Sequence, residues 1–342
     1  MMHDPAFDVF NWNEKMKILV TGSSGHLGEA ACRLLATAGH QPIGLDLKTG
    51  PMTTQIGSIT DRTALGDCMA GASAVIHCAT LHKPHVATHS KQDFIDTNIT
   101  GTLALLETAT HHGVDRVIFT STTSAFGAVL APAAGAPAVW IDQADLAIPK
   151  NIYGTTKTAA EDLCQLFARH HGLHCVVLRV SRFFPEEDDS AATRNSYADE
   201  NAKANEFLFR RVDIEDAARA LLAAVDRAAD IGFGRFVISA TTPFQPQDLA
   251  ALNTDAPAVV AGYFPDYQAI FAARSYEMFP RIGRVYDNSR ARHALGWRPK
   301  YDFAHVLDQI KAATPIGSAL ARAVGSKGYH DQVFTDGPFP VA

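Results

Sequence analysis

The amino-acid sequence predicts an α/β fold, in which a doubly wound parallel sheet is followed by a smaller C-terminal α/β lobe. Through the first 180 residues, short β-branched apolar runs alternate with stretches of helical periodicity, which is typical of a parallel sheet covered on both faces. Beyond Phe183, longer polar and proline-rich segments replace this alternation. The chain has 342 residues, 47% of them hydrophobic, so it is long enough to bury a core in both parts.

The elements are predicted in order from the changes of periodicity along the chain. Strands are predicted at residues 17–21, 42–46, 74–79, 116–121, 175–180 and 235–239. Helices are predicted at residues 27–38, 61–70, 94–112, 151–171 and 213–229. We divide the chain into an N-terminal extension (1–15), a first domain (16–180) and a part that is mainly a substrate-binding lobe (181–342), whose strands can return to the sheet.

Charge, cysteines and hydropathy exclude several classes of protein. Thirty Lys and Arg against 36 Asp and Glu give a net charge of −6 without a block of like charge, so no nucleic-acid partner is expected. The five cysteines are scattered and form no CxxC pair, which argues against disulfides and thiolate metal sites. No apolar run reaches the roughly 18 residues of a membrane span. We expect a cytoplasmic protein that binds a small molecule.

Three glycines, Gly22, Gly25 and Gly28, lie where the first strand turns into the first helix. Glycine there permits a tight turn and a close approach of the backbone to a pyrophosphate, while the helix N-terminus supplies N–H groups. Asp46 ends the next strand, where a carboxylate can bind the ribose hydroxyls and repel a 2′-phosphate. The alternative is a structural turn with a surface aspartate. We predict a Rossmann-type domain over residues 16–180 that binds NAD rather than NADP.

Tyr153 and Lys157 lie at the start of a predicted helix, and their i,i+4 spacing places both side chains on one helix face. A nearby ammonium group favours phenolate, so Lys157 is expected to lower the pKa of Tyr153 towards working pH. Tyr153 could then exchange a proton with a substrate hydroxyl. The YxxxK spacing also arises by chance, and the glycine loop upstream is what favours the catalytic interpretation.

Together these motifs resemble the extended short-chain dehydrogenase/reductase family, in its NAD-dependent epimerase/dehydratase branch, over about residues 16–310. The stretch His77–Thr80 is similar to the family's His-Leu-Ala-Ala, and Asn98 matches the Asn of its NxxGT stretch. The resemblance implies that the cofactor is bound by Gly22, Gly25, His26, Leu27, Gly28, Asp46, Ser58, Ile59, Cys78, Ala79, Thr80, Tyr153 and Lys157. It also implies a homodimer formed through the helices near 94–112 and 151–171.

The resemblance assigns the catalytic roles to four residues. Tyr153 would be the acid and base, and Thr122 would hydrogen-bond the reacting oxygen. Lys157 would also hold the nicotinamide ribose, and Asn98 would be a structural and proton-relay residue. The implied substrate contacts are His82, Thr123 and Arg182.

Several residues depart from the family pattern. Ser58 stands where the family has an adenine-contacting Asp, and Asp61 is interpreted as a helix N-cap. Arg182 stands where many nucleotide-sugar epimerases have an Asn that contacts substrate phosphates. An arginine there would suit a carboxylate or a phosphate, and the alternative is a surface arginine paired with Glu186 or Glu187.

A second departure concerns the arginine that clamps the substrate pyrophosphate in the family. Glu277 lies near that position, and Arg274, Arg281 or Arg284 could substitute for it. The sequence therefore leaves open whether a nucleotide diphosphate is bound.

Histidines at 82, 85 and 89 have spacings that could line one helix face, as in a metal site. No carboxylate or cysteine spacing completes such a site, so no metal is predicted. His82 follows the third strand of the pattern, in what is a substrate-facing loop of the family, and contact with substrate or cofactor is the preferred interpretation.

Three functions remain open from the sequence. The first is an NAD-dependent epimerase that oxidises a secondary alcohol of a sugar or sugar nucleotide through a keto intermediate. The second is a net dehydrogenase of a uronic acid or related polyol, because residues 181–186 resemble the Phe-Pro-Glu segment of uronate dehydrogenases. The third is a non-catalytic NAD(P)-binding sensor, which an intact Thr122, Tyr153 and Lys157 disfavours. Dehydration is disfavoured because Thr123 and Ser124 replace the Asp-Glu pair of sugar 4,6-dehydratases.

Overall fold

The strands of the protein were located in a computed structural model that describes residues 14–142, 144–328, 330 and 334. They are β1 (Lys17–Thr21), β2 (Gln41–Asp46), β3 (Gln55–Ile56), β4 (Ala74–His77), β5 (Arg116–Thr122), β6 (Val139–Ile141), β7 (His174–Val180), β8 (Phe233–Ile238) and β9 (Arg284–Tyr286). Seven of them form one parallel sheet in the order β3-β2-β1-β4-β5-β7-β8. Strands β6 and β9 form a separate parallel pair. The sheet reverses its winding at β1, so the predicted doubly wound fold class is confirmed.

Helices cover both faces of the sheet and build the second lobe. They are α1 (His26–Thr37), α2 (Arg62–Met69), α3 (Lys91–Phe94), α4 (Gly101–His111), α5 (Ile152–His171), α6 (Ala191–Ser196), α7 (Asp199–Glu206), α8 (Ile214–Ile231), α9 (Leu249–Leu252), α10 (Ala256–Tyr263), α11 (Tyr267–Ala272), α12 (Ser289–Leu295), α13 (Phe303–Lys311) and α14 (Ala319–Val324). A π-helical turn, Ile95–Thr100, joins α3 to α4. None of the helices in these described ranges has both the length and the apolar character needed to cross a membrane.

The two faces of the sheet bury two different sets of apolar side chains, because successive residues of a strand point to opposite sides. On β1, Ile18 and Val20 pack in the core under α1 and α8, whereas Leu19 packs in the core under α2, α4 and α5. All three side chains are fully buried. This burial on both faces explains why the strand is continuously apolar.

The second lobe has its own aromatic core, to which Phe207, Phe244, Phe271 and Phe303 contribute. Its strand pair joins distant parts of the chain, since β6 precedes α5 and β9 lies more than 140 residues later. After the lobe, α12 packs against α8 and β8, and α14 packs against α1 and α8. Residues beyond 180 therefore contribute both to the lobe and to the sheet domain. The predicted N-terminal extension lies outside the described residues except for positions 14 and 15.

Candidate cofactor and substrate cleft

A cleft with a volume of about 750 Å³ opens at the carboxyl ends of the sheet strands, between the sheet domain and the second lobe. Asp46 ends β2, Thr122 ends β5 and Val180 ends β7, and all three line the cleft. Ligands of doubly wound sheets bind at this edge, where the winding reverses. Tyr286 of β9 lies on the side of the second lobe.

The three glycines of the loop after β1 have different structural roles. Gly22 has φ +75°, and a Cβ there would lie 2.7 Å from the amide nitrogen of Ala79. A Cβ on Gly28 would lie 2.0 Å from the carbonyl oxygen of Gly22, so neither position accepts a side chain. A Cβ on Gly25 would meet only that same oxygen, at 3.3 Å. Gly25 therefore leaves open space on the cleft side of the loop.

The N-terminus of α1 has the properties of an anion site. Gly25 is the N-cap and provides no side-chain cap. Within the ranges that the structure describes, the amides of Leu27 and Gly28 have no hydrogen-bond acceptor, and both residues line the cleft. Open space beside unsatisfied N–H groups at a helix N-terminus fits a dinucleotide pyrophosphate. These residues would hold the pyrophosphate of NAD.

Asp46 and Ser58 lie on the side of the cleft expected to hold the adenosine. The Asp46 carboxylate accepts hydrogen bonds of 3.0 Å each from the amides of Ser24 and Lys48, which ties the end of β2 to the glycine loop. The Ser58 hydroxyl bonds to that of Thr60 at 2.8 Å. Both Asp46 and Ser58 line the cleft, and their predicted ribose and adenine contacts remain predictions.

The segment after β4 forms the floor of the cleft. The Cys78 thiol and the Thr120 hydroxyl are 3.2 Å apart, and the amide of Ala79 donates to the hydroxyl of Thr21 at 3.2 Å. His77 bridges Thr21 and Thr102 with contacts of 2.7 and 3.1 Å. Burial lowers the pKa of His77 to about 3, so it is neutral and acts as a structural link.

Asn98 lies in the π-helical turn and holds the same segment in place. Its oxygen accepts from the Thr80 hydroxyl and the Leu81 amide, both at 2.9 Å. Its amide nitrogen donates to the Leu81 carbonyl at 2.9 Å and to the Thr156 hydroxyl at 3.0 Å. All four hydrogen-bonding positions are used. Asn98 therefore holds the segment after β4 in place, and its role as a proton-relay residue remains a prediction.

Thr122 and Tyr153 both line the cleft, and Lys157 follows Tyr153 by one helical turn on α5, with its Nζ 4.0 Å from the centre of the Phe119 ring. All three side chains are at least nine-tenths buried. The approach of α5 to β5 depends on Gly154, because a Cβ there would lie 2.9 Å from the carbonyl oxygen of Ser124. Thr122 and Tyr153 thus line the cleft and Lys157 is buried outside its lining, and the catalytic roles of all three remain predictions.

The electrostatics of this group differ from the expectation. Burial raises the pKa of Tyr153 to about 12, so the prediction of a lowered value is wrong for the protein without its cofactor. Burial lowers the pKa of Lys157 to about 8, although the nearby Cys164, Cys78 and Glu161 oppose this shift. Desolvation penalises the charged form of both groups, and it is the largest influence on each pKa.

Arg182 lines the cleft, but its guanidinium group is engaged by neighbouring acidic groups. Nη2 donates to the backbone carbonyl of Glu187 at 2.9 Å, and Nη1 lies 3.6 Å from Asp189 and 3.8 Å from Asp188. Nε lies 3.7 Å from the buried carboxylate of Glu206. The carboxylates beside Arg182 are those of Asp188, Asp189 and Glu206, and not those of Glu186 or Glu187 that the alternative interpretation named. A role for Arg182 in substrate binding remains a prediction.

Of the three arginines that could replace the missing clamp, Arg284 is the one that lines the cleft. The Nε atom of Arg284 is buried and has no hydrogen-bond partner among the described residues. Arg274 instead lies 3.9 Å from Glu200, and Arg281 is exposed outside the cleft. Glu277 has a structural role in the second lobe, since its backbone carbonyl accepts a hydrogen bond from the side-chain amide of Asn201 at 2.8 Å.

His82 lies on the substrate side of the cleft, with its ring centroid 6.5 Å from that of Tyr153. It stacks on Phe184 at 5.5 Å, and burial holds its pKa well below the usual range, so it is neutral. His85 and His89 lie next along this turn, with centroids 5.0 Å apart. Over the described residues, no group of three or more His, Cys, Asp or Glu side chains could hold a metal ion.

The cleft also contains residues that sequence reasoning missed. Lys150, Phe184, Tyr286, Lys327 and Gly328 all line it. Phe184 follows a motif that was noticed, but Tyr286 and Lys327 reach the cleft only because the chain returns to it from distant segments. No local pattern signals such a return.

The sequence matches the model of the NAD dependent epimerase/dehydratase family over residues 18–238. The chain belongs to this family. Membership confirms the resemblance, the enzyme class of NAD-dependent epimerases and dehydrogenases, and the predicted cofactor NAD.

Three relatives illustrate the family. The UDP-glucose 4-epimerase of Rhizobium meliloti (strain 1021) is 25% identical over 334 residues, covering 85% of this chain and 94% of that protein. The NAD-dependent glucose-6-phosphate dehydrogenase of Haloferax volcanii is 27% identical over 179 residues, which cover 48% of this chain and 67% of that protein. The chain spans about half the length of several other curated relatives that it matches. A short-chain dehydrogenase/reductase superfamily protein from Agrobacterium tumefaciens, solved with bound NAD, has the same fold, with a TM-score of 0.63. Its sequence is 22% identical, and the match covers 87% of this chain and 96% of that one.

Proposed function

We propose that this protein is an NAD-dependent epimerase that oxidises a secondary alcohol of a sugar or sugar nucleotide to a keto intermediate and then reduces it. The observation that carries this proposal is that Tyr153 and Thr122 both line a cleft that fits a dinucleotide, with Lys157 one helical turn after Tyr153 on α5. A sensor that only binds the cofactor has no need of this arrangement.

Proton transfer in this proposal runs through Tyr153. Thr122 orients the phenol hydroxyl and the substrate oxygen, and Tyr153 takes the proton of the substrate hydroxyl and later returns it. Taking the proton requires phenolate, which burial alone disfavours, and the Lys157 ammonium on the same helix face favours it. Bound NAD supplies the hydride acceptor.

Two observations support a sugar substrate of the epimerase type. The alignment with the Rhizobium meliloti UDP-glucose 4-epimerase extends across both lobes and covers nearly all of that protein. The cleft also lies between the sheet domain and the second lobe, so it can hold a substrate beside the cofactor.

A net dehydrogenase is the second candidate. It is supported by the similarity to an NAD-dependent glucose-6-phosphate dehydrogenase and by the absence of the usual clamp at Glu277. In this function the unpartnered Nε of Arg284 would help to hold a carboxylate or a phosphate of a smaller substrate.

A substrate panel with added NAD separates these candidates. UDP-hexoses and free uronic acids are incubated with the protein, and both NADH absorbance and product composition are followed. Interconversion of UDP-hexoses without net NADH is the expected result. Accumulation of NADH with a uronic acid would favour the dehydrogenase. If the protein binds NAD but converts none of the substrates in the panel, the result would favour the sensor.

The homodimer and the cytoplasmic location predicted from the sequence remain proposals. Light scattering on the purified protein would give the number of subunits.

A further inference from the structure

The segment that follows α14 returns to the cofactor cleft and contacts the glycine loop. Lys327 and Gly328 line the cleft, 300 residues after the loop itself. The amide of Lys327 lies 3.2 Å from Nε2 of His26, which is the first residue of α1. This contact places the C-terminal segment beside the end of the helix that would bind the pyrophosphate.

The same segment is fixed to the loop that follows β7. The Ser326 hydroxyl donates to Oε1 of Glu186 at 2.7 Å, and the Lys327 amide lies 3.3 Å from the same oxygen. Glu186 is in turn 2.9 Å from Nε2 of His26. Burial alone would raise the pKa of Glu186, but hydrogen bonds from His26 and Ser326 lower it to about 2, so the carboxylate is charged.

Lys327 also neutralises a carboxylate near the α1 N-terminus. Glu29 lies in the first turn of α1 and is 1% exposed. A buried negative charge there opposes the binding of an anion by the helix N-terminus. The ammonium of Lys327 forms an ion pair with Glu29, and Arg33 forms a second at 2.7 Å. The two cations keep this end of the cleft suitable for a pyrophosphate.

Beyond Gly328, the chain reaches the substrate side. The ring of His330 lies 5.3 Å from that of His85, and its Nε2 lies 3.0 Å from the carbonyl oxygen of Pro84. The described residues of this segment therefore touch both the pyrophosphate end of the cleft and the turn that carries His82.

We propose that Ser326, Lys327, Gly328 and His330 form a clasp over the cofactor cleft, in which Lys327 is a further cofactor-binding residue, and that the clasp slows the release of NAD and NADH. This inference rests on the proposed function, because an epimerase must keep NADH bound until the keto intermediate has been reduced. The hydrogen bonds of Ser326 and Lys327 to Glu186 hold the clasp beside the glycine loop, and a bound dinucleotide is therefore expected to leave more slowly while they are intact.

The test is the rate at which bound NADH leaves the protein, measured without substrate. The full-length protein is loaded with NADH and mixed with excess NAD in a stopped-flow fluorimeter. Lys327→Ala is expected to release NADH about tenfold faster, as the loss of one charge-assisted contact implies. Lys327→Arg, which keeps the charge, is expected to stay within about threefold of the wild type.

Arg322→Ala is the matched control. Arg322 lies on α14, outside the cleft, and donates to the carbonyl of Gly317 at 3.0 Å, so its loss should leave NADH release unchanged. Thermal unfolding of each variant without cofactor shows whether it is folded. If Lys327→Ala does not fold, Ser326→Ala, which removes only an exposed hydroxyl, is measured instead and should also accelerate release.

Release from folded Lys327→Ala at the wild-type rate would overturn the clasp. Because no substrate is present, this outcome is independent of the substrate panel. Accelerated release without turnover of any sugar would support the clasp and contradict the epimerase, whereas UDP-hexose interconversion with unchanged release would contradict the clasp alone. Failure of the wild type to bind NADH would contradict both.

Discussion

Glu161 accepts a hydrogen bond of 2.6 Å from the hydroxyl of Ser121, the residue directly before Thr122. Glu161 is fully buried and lies one helical turn beyond Lys157 on α5. Arg179 of β7 donates two hydrogen bonds to its carboxylate, at 2.8 and 3.0 Å. One carboxylate thus joins the strand that carries Thr122 to the helix that carries Lys157.

Replacing Glu161 with Gln should destabilise the protein by about 3 kcal/mol, because it leaves the buried Arg179 guanidinium without its countercharge. Urea unfolding measures the change. Glu107→Gln is the matched control, since Glu107 pairs with Arg62 on the surface and its loss should cost under about 1 kcal/mol. Equal losses of unfolding free energy in Glu161→Gln and Glu107→Gln would contradict a structural role for the buried Glu161–Arg179 pair.

Tyr153→Phe should lower kcat by at least about a thousandfold while NAD binding changes little. The phenyl ring fills the same space, but the hydroxyl that would exchange the proton in the cleft is lost. Steady-state turnover and NADH fluorescence titration give the two values. Tyr263→Phe, on the exposed α10, should leave both unchanged. If Tyr153→Phe retains most of its turnover, Tyr153 is not the acid and base.

The glycine loop gives a pair of variants with opposite expectations. In Gly28→Ala the new methyl group would lie 2.0 Å from the Gly22 carbonyl oxygen, so the variant should be strongly destabilised or fail to fold. In Gly25→Ala the nearest atom is at 3.3 Å, so folding should be nearly retained while NAD binding weakens by about tenfold or more. Thermal unfolding and NADH titration measure these effects. Wild-type affinity in Gly25→Ala would show that the pyrophosphate does not pass this residue.

Asp46→Ala should reduce the preference for NAD over NADP by about tenfold or more, because it removes the carboxylate that repels a 2′-phosphate. Dissociation constants for the two cofactors give the ratio. Asp61→Ala is the control, because Asp61 caps α2 through the amides of Thr63 and Ala64. Its loss should cost about 1 kcal/mol of stability and leave the ratio intact. A ratio unaltered by Asp46→Ala would exclude the ribose contact.

Glu186 should contribute stability that depends on pH. Its pKa is about 2 in the folded protein and lies near the ordinary value of 4.5 in the unfolded chain. The charged form therefore stabilises the fold above pH 4.5, and this contribution is lost as the pH falls towards 2. The unfolding free energies of wild type and Glu186→Gln should differ by about 1–3 kcal/mol at pH 7 and converge below pH 4. A difference that does not change with pH would contradict this assignment.

The sequence was most informative where function depends on neighbouring residues. The glycine loop and the Tyr153–Lys157 pair are local patterns, and the structure places the three glycines and Tyr153 along one cleft. The π-helical turn at Ile95–Thr100 was not predicted, because one helical pattern continues through it. The pKa of Tyr153 was predicted with the wrong sign, since burial cannot be judged from the spacing of two residues.

Contacts between distant segments were beyond the reach of local patterns. Arg182 is surrounded by acids from its own loop and by Glu206 of α7, which no spacing rule connects. Strand β6 was not predicted, because a three-residue strand gives almost no periodic signal. Its pairing with β9 needs the whole second lobe to be folded.

The pairing of β6 with β9 limits how this enzyme can be recombined with its relatives. β6 lies on the connection between Thr122 and Tyr153, whereas β9 belongs to the last quarter of the chain. A chimera joined at residue 180 would pair a β9 from one parent with a β6 from the other. The second lobe is thus not a separable module, and substrate preference is better exchanged by grafting the cleft loops than by exchanging halves.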